Sequence, residues 1–362
     1  MSPTPVMFNG KFLSASPTGV HRVAGELIGH LDRLLDTQRR DETRSWGLAC
    51  PRDAKMPLNL REIRRETAGV LTWQAWEQFE LPGAAKGAVL VNLCNLAPLG
   101  HPRSVTMIHD AQVYLSPESY SKAFLAWYRF ALPRIGAKAA KILTVSNYSR
   151  DRLVEYGVAP REKIEVVYNG VDHLDDVVAE PTIVSRLGLS PGRYVVAAGN
   201  AQKHKNIAML FKMFAGGAMG DLSLVLAGAD GREAFVASGV SPPDRVVFAG
   251  RVNDGALRAL YEQAACLAFP STTEGFGLPP LEAMRLLCPA VVTPCGALPE
   301  ICGDAALYAA PDDPGAWAAA IRRAADDVET RTALLRAGVE RADRYRWSAS
   351  ARKLLDILDD IR

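Results

Sequence analysis

The chain has 362 residues, 48% of them hydrophobic and 23% charged, the make-up of a globular protein too long for one ordinary core. Its formal charge of +2 argues against a dedicated nucleic-acid binder. No apolar run approaches the roughly 18 residues that a transmembrane helix needs.

Two further compositional points bear on location. Met1-Ser2-Pro3-Thr4-Pro5 lacks the basic and apolar regions of a signal peptide. The six cysteines contain no C-x-x-C pair, so buried reduced thiols and a cytoplasmic setting are expected. Up to Asp175 the chain carries 22 Lys/Arg and 18 Asp/Glu; beyond it the counts are 20 and 22. Within that mild asymmetry, Arg39-Arg40 and Arg61-Glu62-Ile63-Arg64-Arg65 are candidates for contact with an anionic membrane surface, or simply a solvated face of mixed charge.

In chain order, Val6-Met7-Phe8 reads as a buried strand, followed by a turn through Ser16-Pro17-Thr18-Gly19. Val20, Val23, Leu27, Leu31 and Leu34 then recur at helical spacing, with Thr18 as a candidate N-cap. A glycine turn between first strand and first helix is where doubly wound folds meet phosphates, although this one lacks G-x-G-x-x-G. Strand-like runs follow at Trp46–Cys50, Val70–Trp73, Val89–Leu93, Ser104–Ile108, Ile142–Val145 and Ile164–Val167. Helical patterns lie between several of them, notably Lys122–Ala137 and Tyr148–Tyr156. Such alternation predicts a mostly parallel sheet covered on both faces. Asp175 to Pro191 is weakly patterned and reads as a linker. A second series then opens at Tyr194–Ala198, Leu222–Ala227, Val246–Ala249, Leu267–Phe269, Val291–Thr293 and Ala306–Tyr308, before a helical tail. Two doubly wound domains result: 1–175, 176–345, and a last helix over 346–362 expected to pack back on the first domain.

The stretch Glu274-Gly275-Phe276-Gly277-Leu278-Pro279-Pro280-Leu281-Glu282 joins a strand end to a helix opened by prolines. Its glycines allow close approach to a ligand, and its carboxylates can each accept hydroxyls. A hydrolytic acid–base pair would need the carboxyls about 5–5.5 Å apart for retention, which spacing in sequence does not establish. Lys203, His204 and Lys205 sit where a strand opens into a helix, a setting suited to a diphosphate, with His204 read as a surface residue. Gly250-Arg251-Val252-Asn253-Asp254 follows a strand, with Asp254 as a candidate cap, and Pro294-Cys295-Gly296-Ala297-Leu298-Pro299-Glu300 adds another turn on the same edge. His109-Asp110 ends a strand in the first half, where a histidine can orient a hydroxyl or steady developing charge.

Taken jointly, these segments resemble the retaining glycosyltransferases of family 4, which have the GT-B fold: two Rossmann-like domains facing across a cleft. Glu274 to Glu282 matches the family's E-x7-E segment; Thr18-Gly19-Val20-His21-Arg22, Ile108-His109-Asp110, Val145-Ser146-Asn147, Asn169-Gly170-Val171-Asp172 and Leu298-Pro299-Glu300 follow in family order. The resemblance implies that Glu274 contacts the sugar hydroxyls of a nucleotide-sugar donor and Glu282 the ribose. Gly275, Phe276, Gly277 and Leu278 then line the donor, Lys205 meets its diphosphate, Gly19 approaches from the first domain and His109 faces the transferred sugar. Asn200 stands where many members have arginine, so Lys203 or Arg251 is a candidate second cation. No D-x-D ends a strand, so no metal and no resident cofactor are expected. The implied enzyme is a hexosyltransferase using GDP-mannose, with UDP-sugars next, on a saccharide or lipid-linked saccharide acceptor of polysaccharide biosynthesis. Cytoplasmic location with a peripheral contact at the inner face of the membrane follows. A GT-B epimerase, a phosphorylase or a catalytically silent binding subunit are the alternatives.

Overall fold

A computed structural model describes residues 4–38, 44–217, 219–228 and 231–361. Arg39 and Arg40, half of the basic feature noted above, lie outside the described residues. The chain forms two compact units. The first comprises residues 1–114, 120–170 and 346–362; the second comprises 115–119 and 171–345.

The first unit is built on a seven-stranded sheet of order β3-β2-β1-β4-β5-β6-β7, every adjacent pair parallel. The strands are β1 Val6–Asn9, β2 Trp46–Cys50, β3 Arg64–Thr67, β4 Val89–Asn92, β5 Ser104–Met107, β6 Lys141–Thr144 and β7 Ile164–Val166. The central ones are buried along their whole length, because helices cover both faces of a parallel sheet. β3 is a correction to the sequence reading. The strand is the polar run Arg64–Thr67, exposed throughout at the sheet edge, whereas the apolar Val70–Trp73 leaves the sheet altogether. Charged residues suit an edge strand, whose outer backbone groups would otherwise invite pairing. The remaining basic cluster is structurally employed. Asp32 accepts the backbone N–H groups of Arg61, Glu62 and Ile63 at 2.8–2.9 Å, Arg61 pairs with Asp36, and Arg65 bonds the carbonyls of Ala54 and Met56.

The Trp347–Asp359 helix belongs to this unit and packs on the Gly19–Gln38 helix. Its register is fixed at Gly170, where an added Cβ would lie 2.2 Å from the Trp347 nitrogen. Only glycine lets the fully buried Trp347 seat against that turn. Ser350 Oγ donates to the Tyr168 carbonyl at 2.5 Å, and Arg44 reaches the Leu358 carbonyl and Asp359.

The second unit carries a six-stranded parallel sheet of order β10-β9-β8-β11-β12-β13. Its strands are β8 Tyr194–Ala198, β9 Ser223–Ala227, β10 Val246–Gly250, β11 Cys266–Phe269, β12 Ala290–Val292 and β13 Ala306–Tyr308. On one face Phe211, Phe214, Phe235 and Trp317 fill the core, with Phe211 and Phe235 edge-to-face at 5.1 Å. The stretch read as a linker holds the short Thr182–Arg186 helix. In both sheets the strand order reverses at a central gap, β1/β4 in the first and β8/β11 in the second. That is where open parallel sheets place ligands.

Removing the Trp347 indole should cost the first unit about 3–5 kcal/mol through cavity formation. Hydrogen exchange should then accelerate along the Gly19–Gln38 helix of Trp347→Ala while β8–β13 keep their protection. Uniform loss across both sheets would contradict the packing described.

Candidate functional site

In the second unit the turns after β8 and β11 flank the reversal of strand order. A 3-10 turn over Lys203–Lys205 leads through Asn206, in left-handed conformation at φ 53°, into the Ile207–Ala215 helix. Asn tolerates that conformation, and its side chain donates to the Pro311 carbonyl at 2.8 Å. This geometry points Lys205 at the turn after β11, where its Nζ lies 2.6 Å from Glu274 Oε1 and 5.7 Å from the Phe269 ring centre. A charge-assisted bond of that length joins two mostly buried groups at the head of a nine-residue helix.

His204 is buried rather than at the surface, a correction to the sequence reading. Its Nδ1 is 2.9 Å from Ser119 Oγ, and its carbonyl accepts the Thr272 N–H at 2.8 Å, tying the lysine turn to the Glu274 turn. Burial drives its pKa down to about 4; Lys205 adds to the effect and Glu274 and Glu118 oppose it. Glu274 is held from the other side by Gly296. An added Cβ there would stand 2.5 Å from the Glu274 nitrogen, and the Glu274 carbonyl accepts the Ala297 N–H at 3.0 Å. Gly296 also has φ 62°, so both space and backbone require glycine.

Phe276 meets Tyr345 edge-on at 5.6 Å. Gly277, at φ 94°, caps the Leu278–Arg285 helix, which begins at the paired prolines as expected. Glu282 falls just beyond the first turn of that helix and is buried. Its Oε1 sits 3.3 Å from Nε2 of the buried His173, and the Tyr261 hydroxyl is near enough for Glu282 to reinforce its burial-raised pKa. Sequence reasoning passed over His173, whose signal was its place directly after Asn169-Gly170-Val171-Asp172.

The other candidates of this unit lie on the loops after β8 and β10. Asn200 folds back on its own loop, accepting from the Gln202 backbone N–H and donating to the Gln202 side chain. Lys203 and Arg251 are both exposed. After β10 the cap is Asn253, one residue before the expected Asp254: its Oδ1 accepts the Ala256 N–H at 2.8 Å.

Gly19 and His109 belong to the first unit. Gly19 opens the first helix, and a Cβ there would meet nothing within 4 Å, so packing within the chain does not demand glycine. His109 is buried after β5; its Nε2 lies 2.8 Å from the Leu93 carbonyl, its N–H bonds Asn95 Oδ1, and its carbonyl accepts Ser149 Oγ. Facing a carbonyl, Nε2 must carry the ring proton, which leaves Nδ1 as an acceptor. Burial lowers the His109 pKa to about 4, opposed by the Leu93 bond and reinforced by neighbouring His21.

Beside it, at the β1/β4 gap, lies a polar cluster that the sequence did not reveal. Asn9 donates to Glu77 Oε1 at 2.8 Å and to Asn92 Oδ1 at 3.0 Å, and Lys11 Nζ reaches Glu77 Oε2 at 2.5 Å. The turn after β1 gave a weak signal in Asn9-Gly10, whereas Glu77, buried by tertiary packing alone, gave none. Among the described residues, no group of three or more His, Cys, Asp or Glu is placed to hold a metal ion.

Comparison with known proteins adds six findings. Residues 192–327 match the family model described as glycosyl transferases group 1, and 52–173 match that of glycosyltransferase family 4. O-antigen chain mannosyltransferase B of Escherichia coli is 30% identical over 256 residues, 68% of this chain and 67% of that protein. O-antigen chain mannosyltransferase RfbU of Salmonella typhimurium is 29% identical over 231 residues, 62% of this chain and 61% of its own length. Among solved structures, sucrose-phosphate synthase of Thermosynechococcus elongatus superposes with TM-score 0.74, and Anabaena HepE with UDP and glucose at 0.72. Both are 18% identical; the alignments cover 98% of this chain, with 98% of the synthase and 99% of HepE, and they establish a shared fold.

A buried neutral histidine makes stability depend on pH. With its folded pKa near 4 and an unfolded value of 6.5, His109 contributes stability fully present above about pH 6.5 and lost as pH falls towards 4. The loss is on the order of 3 kcal/mol. Urea unfolding at pH 7 and pH 4.5 should show a smaller acid loss for His109→Asn than for the parent chain. An equal loss would show that the ring titrates normally.

Proposed function

We propose that this chain, which belongs to glycosyltransferase family 4, transfers a hexose from a nucleoside diphosphate donor to a saccharide acceptor with retention at the anomeric carbon. The observation that carries the reading is the Lys205–Glu274 ion pair at the β8/β11 gap. A cation at a helix N-terminus suits a diphosphate, and a carboxylate one contact away suits sugar hydroxyls. An entering diphosphate competes for Lys205, and Glu274, released, accepts hydroxyls of the sugar. Glu282, steadied by His173, accepts from the ribose. Gly275, Phe276, Gly277 and Leu278 line the donor, Gly19 approaches the diphosphate, and exposed Lys203 or Arg251 supplies a second cation.

In the reaction the acceptor oxygen forms a bond to the anomeric carbon as that carbon's bond to the diphosphate breaks. The acceptor's proton passes to the leaving phosphate oxygen on the same face. Charge builds on the diphosphate, so Lys205 and the N-terminus of the Ile207–Ala215 helix provide the main stabilisation without a metal. Neutral His109 accepts a hydrogen bond from a hydroxyl of the transferred sugar at Nδ1. Both O-antigen relatives are named as mannosyltransferases, which favours GDP-mannose; the UDP and glucose held by HepE keep UDP-sugars as the second choice. The same relatives favour a saccharide acceptor of polysaccharide biosynthesis, and a lipid-linked one at the inner face of a membrane is our own extension of that reading.

Four measurements test this. Lys205→Met should raise the donor KM about 10- to 100-fold, the worth of one charged hydrogen bond. Glu274→Gln should lower kcat by a similar factor, and unchanged turnover would remove Glu274 from the site. The product's anomeric configuration by NMR should match the donor's, and inversion would overturn the mechanism. Thermal-shift screening should show stabilisation by GDP above UDP and dTDP, since specific binding raises stability by mass action.

A further inference from the structure

Every large, exposed hydrophobic side chain of the first unit, among the described residues, falls in two segments. Val70 (62% exposed), Leu71, Trp73 (64%) and Phe79 (78%) form one; Phe124 (37%) and Phe130 (45%) form the other. The second segment is the first half of the Lys122–Lys138 helix. From Ser121 to Phe130 that stretch has no buried residue, although it contains Ala123, Phe124, Leu125, Ala126, Trp127, Tyr128 and Phe130. The remainder of the helix buries Ala131, Leu132 and Ile135 normally. An amphipathic helix should bury its apolar stripe along its whole length; this one stops halfway.

The two segments are neighbours. Gln78 bonds the Ala97 carbonyl and the Leu99 N–H, while Lys138 Nζ bonds the Leu99 carbonyl at 2.8 Å. Tyr128 also lies close enough to Glu77 for that carboxylate to reinforce the rise in its pKa that burial produces.

The protrusion is built rather than left loose. Glu80 accepts the backbone N–H groups of Val70 and Leu71 at 2.9–3.0 Å, and Gly69, at φ 74°, leaves the room its carboxylate occupies. Trp73 is held at φ 54°, a conformation a bulky side chain adopts only under constraint, and it points outward while Trp76 is fully buried. Tyr120, Phe124 and Tyr128 stack in series at 5.1 and 4.1 Å. The Lys122–Lys138 helix bears Lys122, Arg129, Arg134 and Lys138 and no carboxylate. The acids of the other segment are engaged, Glu77 by Lys11 and Asn9, Glu80 by the backbone.

We propose that this aromatic and cationic surface of the first unit docks on an anionic phospholipid bilayer, with Trp73, Phe79, Phe124 and Phe130 entering the headgroup region. Exposed aromatic rings flanked by uncompensated cations match an interface that is apolar below and negatively charged above. The surface replaces the Arg61–Arg65 run as the membrane contact. It rests on the proposed transfer reaction only for the reason a membrane is visited, and binding is measured separately from transfer.

The test is co-sedimentation of the full chain with phosphatidylglycerol–phosphatidylcholine vesicles and with phosphatidylcholine vesicles alone. The chain should pellet with the anionic vesicles, less so at high salt, and the triple variant Trp73→Ser, Phe79→Ser, Phe130→Ser should lose about tenfold or more in partitioning. Because these side chains are exposed, the variant should keep its Tm and its stabilisation by nucleoside diphosphates. Equal binding by parent and variant, or no binding by the parent, overturns the assignment. So does a parent chain that dimerises through these residues in light scattering without binding vesicles. Vesicle binding with no sugar transfer would leave this surface standing and sink the catalytic reading instead.

Discussion

In a parallel sheet every strand leaves at the same edge, and most of what this protein presents to a ligand follows from that constraint. Where neighbouring crossovers turn in opposite directions, at β8/β11, two loops diverge and leave a gap with helix N-termini at its rim. Lys205 and Glu274 are the first charged side chains out of those two loops that meet, at 2.6 Å. Their neighbours are arranged to hold them there: His204 bridges the loops from beneath, and Gly296 lets a third turn press against the Glu274 backbone. The same logic governs the first unit, where Asn9, Asn92, Lys11 and Glu77 converge at β1/β4.

Buried charge is the cost of this arrangement. A carboxylate removed from water must be compensated by partners of good geometry, or it destabilises the fold. Glu77 has two such partners and Glu274 has a lysine, whereas Glu282 has the His173 ring 3.3 Å away. The three acids are therefore not equivalent. Glu77 reads as a fixed brace, while Glu274 and Glu282 have partners that an incoming polar molecule can replace.

Much of this was legible in the sequence because the signals were local. Strand runs of apolar residues and the proline-started helix at Leu278 depend on neighbours in the chain. The E-x7-E segment, the lysine turn and the order of the smaller motifs likewise survive without coordinates. What failed depended on tertiary placement. Arg64–Thr67 looks nothing like a buried strand because it is an edge, and Val70–Trp73 looks like one although its side chains face outward. His204 appeared polar and loop-bound, yet the two turns close over it. His173 and Glu77 acquire partners 109 and 68 residues away, which no local pattern encodes.

The seating of Trp347 against Gly170 has a consequence for how the chain is made. The first unit receives its last helix from residues 346–362, which are synthesised after the whole of the second unit. Until then the Gly19–Gln38 helix waits with an apolar face unsealed, while the second unit, largely continuous in sequence, can complete itself. The unit that comes first in the sequence is thus the later one to be finished, and a chain lacking residues 346–362 would carry its defect in the unit built from the earliest residues.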